Sequence, residues 1–89
     1  MLKKRQLERI VRSFANHRRI QILDFIDKNP EVSVNGIAKV LNIHLKLASF
    51  HLRKLTISGL IMKKSDGKNI RHKLSQRGEF VLKFLRTLE

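Results

Sequence analysis

Apolar side chains recur at the spacing of α-helices, at i, i+3, i+4 and i+7, through the first two thirds of the chain. This pattern predicts four helices, at about residues 3–15, 17–28, 34–41 and 45–58. Asn16 and Ser33 are good N-cap residues for the second and third helices. Pro30 stops the second helix, and Asn42 tolerates the left-handed conformation that closes the third. The second helix has a wide apolar face and is expected to be the most buried.

The hydrophobic period shortens to two residues after position 59, which predicts a pair of β-strands over about residues 60–75. Leu60 and Met62 are expected to point to one face of the hairpin, and Lys63 to the other. Asp66 and Gly67 are typical of the turn that joins two such strands. The outer face of the hairpin is therefore predicted to be basic.

A last helix is predicted at about residues 76–88, with Ser75 as its cap. The expected fold class is mainly α with a small β-hairpin: five helices and a two-stranded hairpin in one domain, residues 1–89. A short third strand is expected near Val32 and Val34. The third and fourth helices, joined by a tight turn, match a helix-turn-helix, and the hairpin directly after them completes a winged helix.

The charge of the chain indicates a polyanionic partner. Twenty Lys and Arg residues stand against seven Asp and Glu residues, a formal net charge of +13. Nucleic acid is the first candidate, ahead of an acidic membrane surface or an acidic protein. No acidic residue occurs between Glu31 and Asp66, whereas the basic residues before Glu31 are interpreted mostly as helix surface. The sequence has no long apolar run, so neither export nor a membrane span is predicted. A cytoplasmic, nucleoid-associated location is expected.

Four motifs resemble those of ArsR-type winged-helix repressors. They are FANHRRIQIL (residues 14–23), SVNGIAKVL (33–41), SFHLRKL (49–55) and SGLI (58–61). The segment LSQRG (74–78) is similar to the junction between wing and last helix of several winged-helix families. The resemblance implies a homodimeric DNA-binding repressor, with the fourth helix in the major groove of DNA and the wing on the adjacent backbone or minor groove.

The N-terminal and exposed positions of the fourth helix are the candidates for reading base edges. They are Leu45, Lys46, Ser49, Phe50 and Arg53. Lys46 and Arg53 are the strongest, because each can donate to guanine O6 and N7. Leu45 and Phe50 can pack on a thymine methyl, but an alternative for both is burial in the core or in a dimer interface. His51, beside two leucines, is expected to be packed within the protein rather than to contact DNA.

Basic or hydrogen-bonding residues around the fourth helix and on the wing are candidates for contacts with the DNA backbone, which add affinity without sequence information. They are Lys39, His44, Lys54, Lys63, Lys64, Lys68, Arg71 and Lys73. For any single lysine among them, the alternative is a solvated surface position. His44 stands at the N-cap of the fourth helix, where ArsR-type proteins commonly have Ser or Thr, and a weaker cap is expected there.

The terminal helices, about residues 3–15 and 76–88, are expected to form a homodimer interface, because their apolar stripes exceed what one small domain covers. The candidate residues are Leu7, Ile10, Val11, Phe80, Val81, Phe84, Leu85 and Leu88. Pairing of these helices around a two-fold axis would place two reading helices on one duplex.

The remaining chemistry argues against an enzyme and against a cofactor. The chain has no Cys, its four His residues fall on separate predicted elements, and no metal site is expected. Seven scattered carboxylates show no acid–base pair, and no phosphate-binding Gly-rich loop is present. Two alternatives to a sequence-specific regulator keep the fold: a non-specific nucleoid or architectural DNA-binding protein, and a winged helix that binds RNA.

Overall fold

The computed structural model describes residues 1–89 and contains five helices and one antiparallel hairpin. In chain order the elements are α1 (Lys4–Phe14), α2 (His17–Lys28), α3 (Val34–Leu41), α4 (Leu45–Ile57), β1 (Ile61–Asp66), β2 (Asn69–Leu74) and α5 (Gln76–Arg86). Every predicted helix is present, with bounds within two residues of the prediction, and the winged helix-turn-helix fold is confirmed. None of the helices combines the length and the apolar character that crossing a membrane requires.

Local capping fixes the helix-turn-helix. The Asn16 side chain accepts hydrogen bonds from the backbone N–H groups of two residues in the first turn of α2, and Ser33 accepts one from Gly36 at 3.1 Å. Asn42 closes α3 with a φ of 53°, in the left-handed region. His44 caps α4 through Nδ1, which accepts the Lys46 N–H at a long 3.4 Å, as expected for a weak cap. Only three residues therefore separate α3 from α4.

The core forms around α2, which packs against all the other helices and β2. Three side chains of α2 are fully buried: Ile22, Leu23 and Ile26. They meet apolar residues from α3, α4, the hairpin and α5, which are Ile37, Ala48, Leu52, Leu55, Leu60, Ile61, Leu74, Val81 and Leu82. Burial of this set removes apolar surface from water and fixes α4 and the hairpin relative to each other.

The hairpin register differs from the predicted alternation. Ile61 pairs with Leu74, and Met62 pairs with Lys73. Residues that pair across antiparallel strands share a face, so Ile61 points inward while Met62 is exposed on the outer face. The prediction that Leu60 and Met62 share the inner face was wrong, because Leu60 is buried in the turn before the strand and the alternation starts one residue later.

Two further details of the hairpin region also differ from prediction. Asp66 pairs with Asn69, so the turn residues are Gly67 and Lys68 rather than Asp66 and Gly67. The expected third strand is reduced to a single bridge between Val32 and His72, because the chain enters α3 at residue 34.

The junction between the hairpin and α5 depends on a close backbone approach. Ser75 is the only residue between β2 and α5, and its N–H donates to the Leu60 carbonyl oxygen at 3.0 Å. Its hydroxyl caps α5 by accepting the Gly78 N–H at 3.0 Å and donates to the Gly59 carbonyl. A Cβ atom at Gly78 would lie 2.1 Å from the Leu60 oxygen, so only glycine allows this packing.

Candidate nucleic-acid interface

The outer face of α4 carries the predicted base-contact residues. Ala48, Leu52 and Leu55 are buried, which fixes the inner face of the helix. With 3.6 residues per turn, Lys46 and Arg53 lie on the opposite face, and both are exposed. All five predicted base-contact residues are exposed: Leu45, Lys46, Ser49, Phe50 and Arg53. The fold thus presents one polar and basic helix face to solvent.

Phe50 lies at the surface rather than in the core. Its side chain is 46% exposed, as is that of Leu45. The Phe50 ring centroid is 5.7 Å from the Arg19 guanidinium carbon and 5.4 Å from the Lys54 ammonium nitrogen, which are cation–π distances. The ring is therefore held between two cations and leaves an apolar face in a basic environment.

Arg19 fixes α4 against the first two helices, a role that the sequence analysis did not identify. Its Nε donates to Nδ1 of the buried His51 at 3.0 Å, and its guanidinium also donates to the Ser13 carbonyl at 3.0 Å. Burial, with the charges of Arg19 and Arg18, lowers the pKa of His51, which favours the neutral ring whose Nδ1 accepts from Arg19. His51 is packed within the protein, as predicted. Arg19 and His51 are 32 residues apart, and no local pattern signals their contact.

The wing lies on one side of α4. Ser49 and Arg53 line a shallow cleft together with Lys63 and Ile70 of the hairpin. Four wing lysines are exposed and form no ion pair within the chain: Lys63, Lys64, Lys68 and Lys73. Lys39 on α3 and Lys54 on α4 are likewise exposed and form no ion pair within the chain.

Arg71 differs from the wing lysines because two carboxylates already lie near it. Its guanidinium is 3.5 Å from Asp66 and 4.0 Å from Glu31. These exposed pairs are weak and are screened by salt. Arg71 therefore differs from the wing lysines in having acidic neighbours that a phosphate would also have to approach.

His72 anchors the wing to the segment before α3. It is buried, and its Nδ1 lies 3.1 Å from the Val32 carbonyl oxygen. Burial lowers the pKa of His72 more than this hydrogen bond raises it. No group of three or more His, Asp and Glu side chains lies close enough to hold a metal ion.

The apolar stripe of α5 divides into two faces. Phe80, Phe84 and Leu88 are exposed, whereas Leu85 packs partly against the core. Val81, predicted to lie in the dimer interface, is buried in the core of the protomer together with Leu82, which the predicted stripe omitted. The sequence stripe looked wide because it combined a core face with an exposed one.

The predicted interface residues of α1 also differ in exposure. Leu7 and Val11 are exposed, whereas Ile10 packs partly against the core. An unpartnered apolar surface thus remains on both terminal helices.

A winged helix-turn-helix DNA-binding family model matches residues 16–62, more than half of the chain. No curated protein matches the chain. The match covers α2, the helix-turn-helix and the start of the wing. The family is defined by DNA binding, in keeping with the prediction that the chain is not an enzyme.

Solved structures of similar chains agree with this match. The homodimeric winged helix-turn-helix domain of Mb0332 from Mycobacterium bovis, a possible ArsR-family transcriptional regulator, is 26% identical, with a TM-score of 0.85 over 93% of this chain and 77% of that chain. HlyU from Vibrio cholerae is also 26% identical, with a TM-score of 0.82 over 98% and 97% of the two chains. FabT from Streptococcus pneumoniae, solved in complex with DNA, shares the fold at 20% identity, with a TM-score of 0.74 over 80% of this chain and 52% of that chain. The likeness to Mb0332 confirms the ArsR-type resemblance of the motifs, and the chain belongs to the winged helix-turn-helix DNA-binding family.

Proposed function

We propose that this protein is a cytoplasmic, nucleoid-associated and sequence-specific transcriptional regulator, which represses its target promoters as a homodimer on double-stranded DNA. The observation that carries the proposal is the exposed face of α4, where Lys46 and Arg53 lie within an acid-free segment beside four unpaired wing lysines. Such a surface attracts a polyanion and carries donors that distinguish bases.

In the proposed complex, α4 enters the major groove with its N-terminal half toward the base edges. Lys46 and Arg53 donate to guanine O6 and N7, and Ser49 can pair with several bases. Leu45 and Phe50 pack on thymine methyl groups, which suits their exposure. The wing lysines bind phosphates and set the register of the protein on the duplex.

The homodimer is supported by the exposed apolar residues of α1 and α5, and by the homodimeric state of the Mb0332 domain. Pairing through Phe80, Phe84 and Leu88 would bury this surface and present two copies of α4. Two half-sites about 34 Å apart, one turn of DNA, would then be read together.

The main test is selection of bound duplexes from a random pool at near-physiological salt. The wild-type protein should enrich a two-fold symmetric motif. Lys46→Ala and Arg53→Ala should each relax one position of that motif, at a cost of about 1–3 kcal/mol per lost bidentate contact. Lys68→Ala, at the wing tip, is the matched control and should weaken all sequences about equally. Absence of any enriched motif would instead support a coating protein, and preference for RNA would support an RNA-binding winged helix.

The dimer is tested separately by sedimentation of Phe84→Glu. The exposure of Phe84 lets the charge be tolerated in a folded monomer while it opposes burial in a dimer. Lys83→Ala on the same helix is the control and should leave the dimer intact. A Phe84→Glu protein that still sediments as a dimer would place the interface elsewhere.

A further inference from the structure

A second basic surface lies on the side of α4 that faces away from the wing. It is an open groove of about 570 Å³ between α1, the C-terminal half of α4 and the start of α5. Five cationic side chains line it: Arg9, Arg12, Arg19, Lys54 and Arg77. No carboxylate lines it, and the one acid paired with a lining residue is Glu8, 3.5 Å from Arg12 at the surface. We call this surface the α1–α4 groove.

Two of the cations in the α1–α4 groove are held in place. Arg19 is fixed by its hydrogen bonds to His51 and to the Ser13 carbonyl. Arg77 donates to the Ser58 carbonyl at 3.0 Å, at the end of α4. Arginine side chains that are ordered before binding lose less entropy when they meet an anion.

Two of the other three cations have no partner within the chain. Arg9 and Lys54 are exposed and make no side-chain hydrogen bond or ion pair within the chain. Lys54 lies beside the Phe50 ring, so the α1–α4 groove is continuous with the outer face of α4. The charge that the sequence assigned to helix surface is thus partly gathered next to the reading helix.

The dimensions of the DNA major groove indicate which part of a duplex the α1–α4 groove would contact. The major groove is about 12 Å wide and a helix with its side chains is about 10–12 Å across, so a reading helix has a sugar–phosphate backbone along each side. Ser49 and Arg53 border the wing, whereas Lys54 borders the α1–α4 groove. We infer that the wing binds one backbone of the major groove, and that the α1–α4 groove binds the phosphates of the other.

This inference rests on the proposed function, and its test is the salt dependence of duplex binding, followed by fluorescence anisotropy. Each phosphate contact contributes about 0.9 to the slope of log K against log salt. Arg9→Gln and Lys54→Gln should each lower the magnitude of the slope by about 0.9 per subunit, and the double variant by about 1.8. Between about 50 and 200 mM salt, the double variant should then lose about 12-fold less affinity per subunit than the wild type loses.

Lys83→Gln is the control, because Lys83 is exposed and unpaired on α5 and lies outside the groove. It should keep the wild-type slope, and thermal unfolding should show that all the variants are folded. The motif enriched by the Arg9→Gln protein should equal that of the wild type, since phosphate contacts carry no sequence information. Wild-type slopes in both groove variants would overturn the inference while leaving the proposed function standing. Failure of the wild-type protein to enrich a motif would overturn the proposed function instead.

Discussion

Replacement of Gly78 by alanine is expected to destabilise the protein through a single contact at the start of α5. The new Cβ atom would lie 2.1 Å from the Leu60 carbonyl oxygen. A carbon atom normally approaches a carbonyl oxygen to about 3.3 Å, so one of the two backbones has to retreat by about 1.2 Å. Neither can do so alone, because Ser75 ties both together.

The magnitude follows from the contacts that such a retreat breaks. Two hydrogen bonds join Ser75 to the Leu60 and Gly59 carbonyls, and each contributes about 1 kcal/mol. The Ser75 cap of α5 contributes about 1 kcal/mol more. The higher helix propensity of alanine offsets about 1 kcal/mol. The net loss is about 2 kcal/mol, or a fall in Tm of roughly 8–16 °C for a domain of this size.

The assay is urea unfolding followed by far-ultraviolet circular dichroism, at one protein concentration because dimerisation would add to stability. Gly36→Ala is a matched control, since Gly36 also occupies the third position of a helix capped by serine. The nearest atom to a Cβ there is a methyl group of Val32 at 2.9 Å, which a side-chain rotation can move. We expect Gly36→Ala to stay within about 1 kcal/mol of the wild type. Equal urea midpoints for the two variants would refute the role assigned to the Leu60 carbonyl.

Three other predictions concern charged and polar side chains. The pKa values of His51 and His72 are lowered in the fold, so the unfolded chain binds protons near pH 6.5 that the folded chain does not. The free energy of unfolding should therefore fall as pH drops from about 7 to 5, by at most about 1.4 kcal/mol per pH unit for each histidine. Urea titrations at several pH values would measure this dependence, and His72→Gln should make it less steep. Arg19→Lys should lower the free energy of unfolding by about 1–2 kcal/mol, because one ammonium group cannot replace both of its hydrogen bonds, and an unchanged urea midpoint would contradict this. The hydrogen bond from Arg86 lowers the pKa of Asp24. In Arg86→Ala that pKa should rise toward 3.8, as followed by NMR titration of the Asp24 carboxyl.

Local signals explain why the helices could be predicted from the sequence. Asn16, Ser33 and Ser75 each accept a backbone hydrogen bond from a residue at most three positions away. The start of each of these helices can therefore be predicted from the neighbouring residues alone. The exposed face of α4 follows from the same logic, because burial of every third or fourth residue leaves Lys46 and Arg53 outside.

Features that depend on distant contacts could not be predicted in this way. The start of the hairpin alternation depends on the burial of Leu60, whose carbonyl accepts the N–H of Ser75, 15 residues later in the chain. The burial of Val81 depends on how α5 packs against α2, and the sequence does not specify that packing. The α1–α4 groove collects cations from four helices, and charge spread so widely along a chain resembles ordinary helix surface.

The single residue between β2 and α5 has a consequence for the arrangement of target sites. Ser75 and the Leu60–Gly78 contact fix the orientation of the wing relative to α5. In a dimer joined through α5, the two wings would therefore be rigidly phased. One extra base pair between half-sites rotates the second by about 35° and shifts it by about 3.4 Å along the duplex. A one-residue connection cannot rotate enough to bring the second wing onto a displaced half-site. Binding would therefore depend on the number of base pairs between half-sites as strongly as on the bases within them.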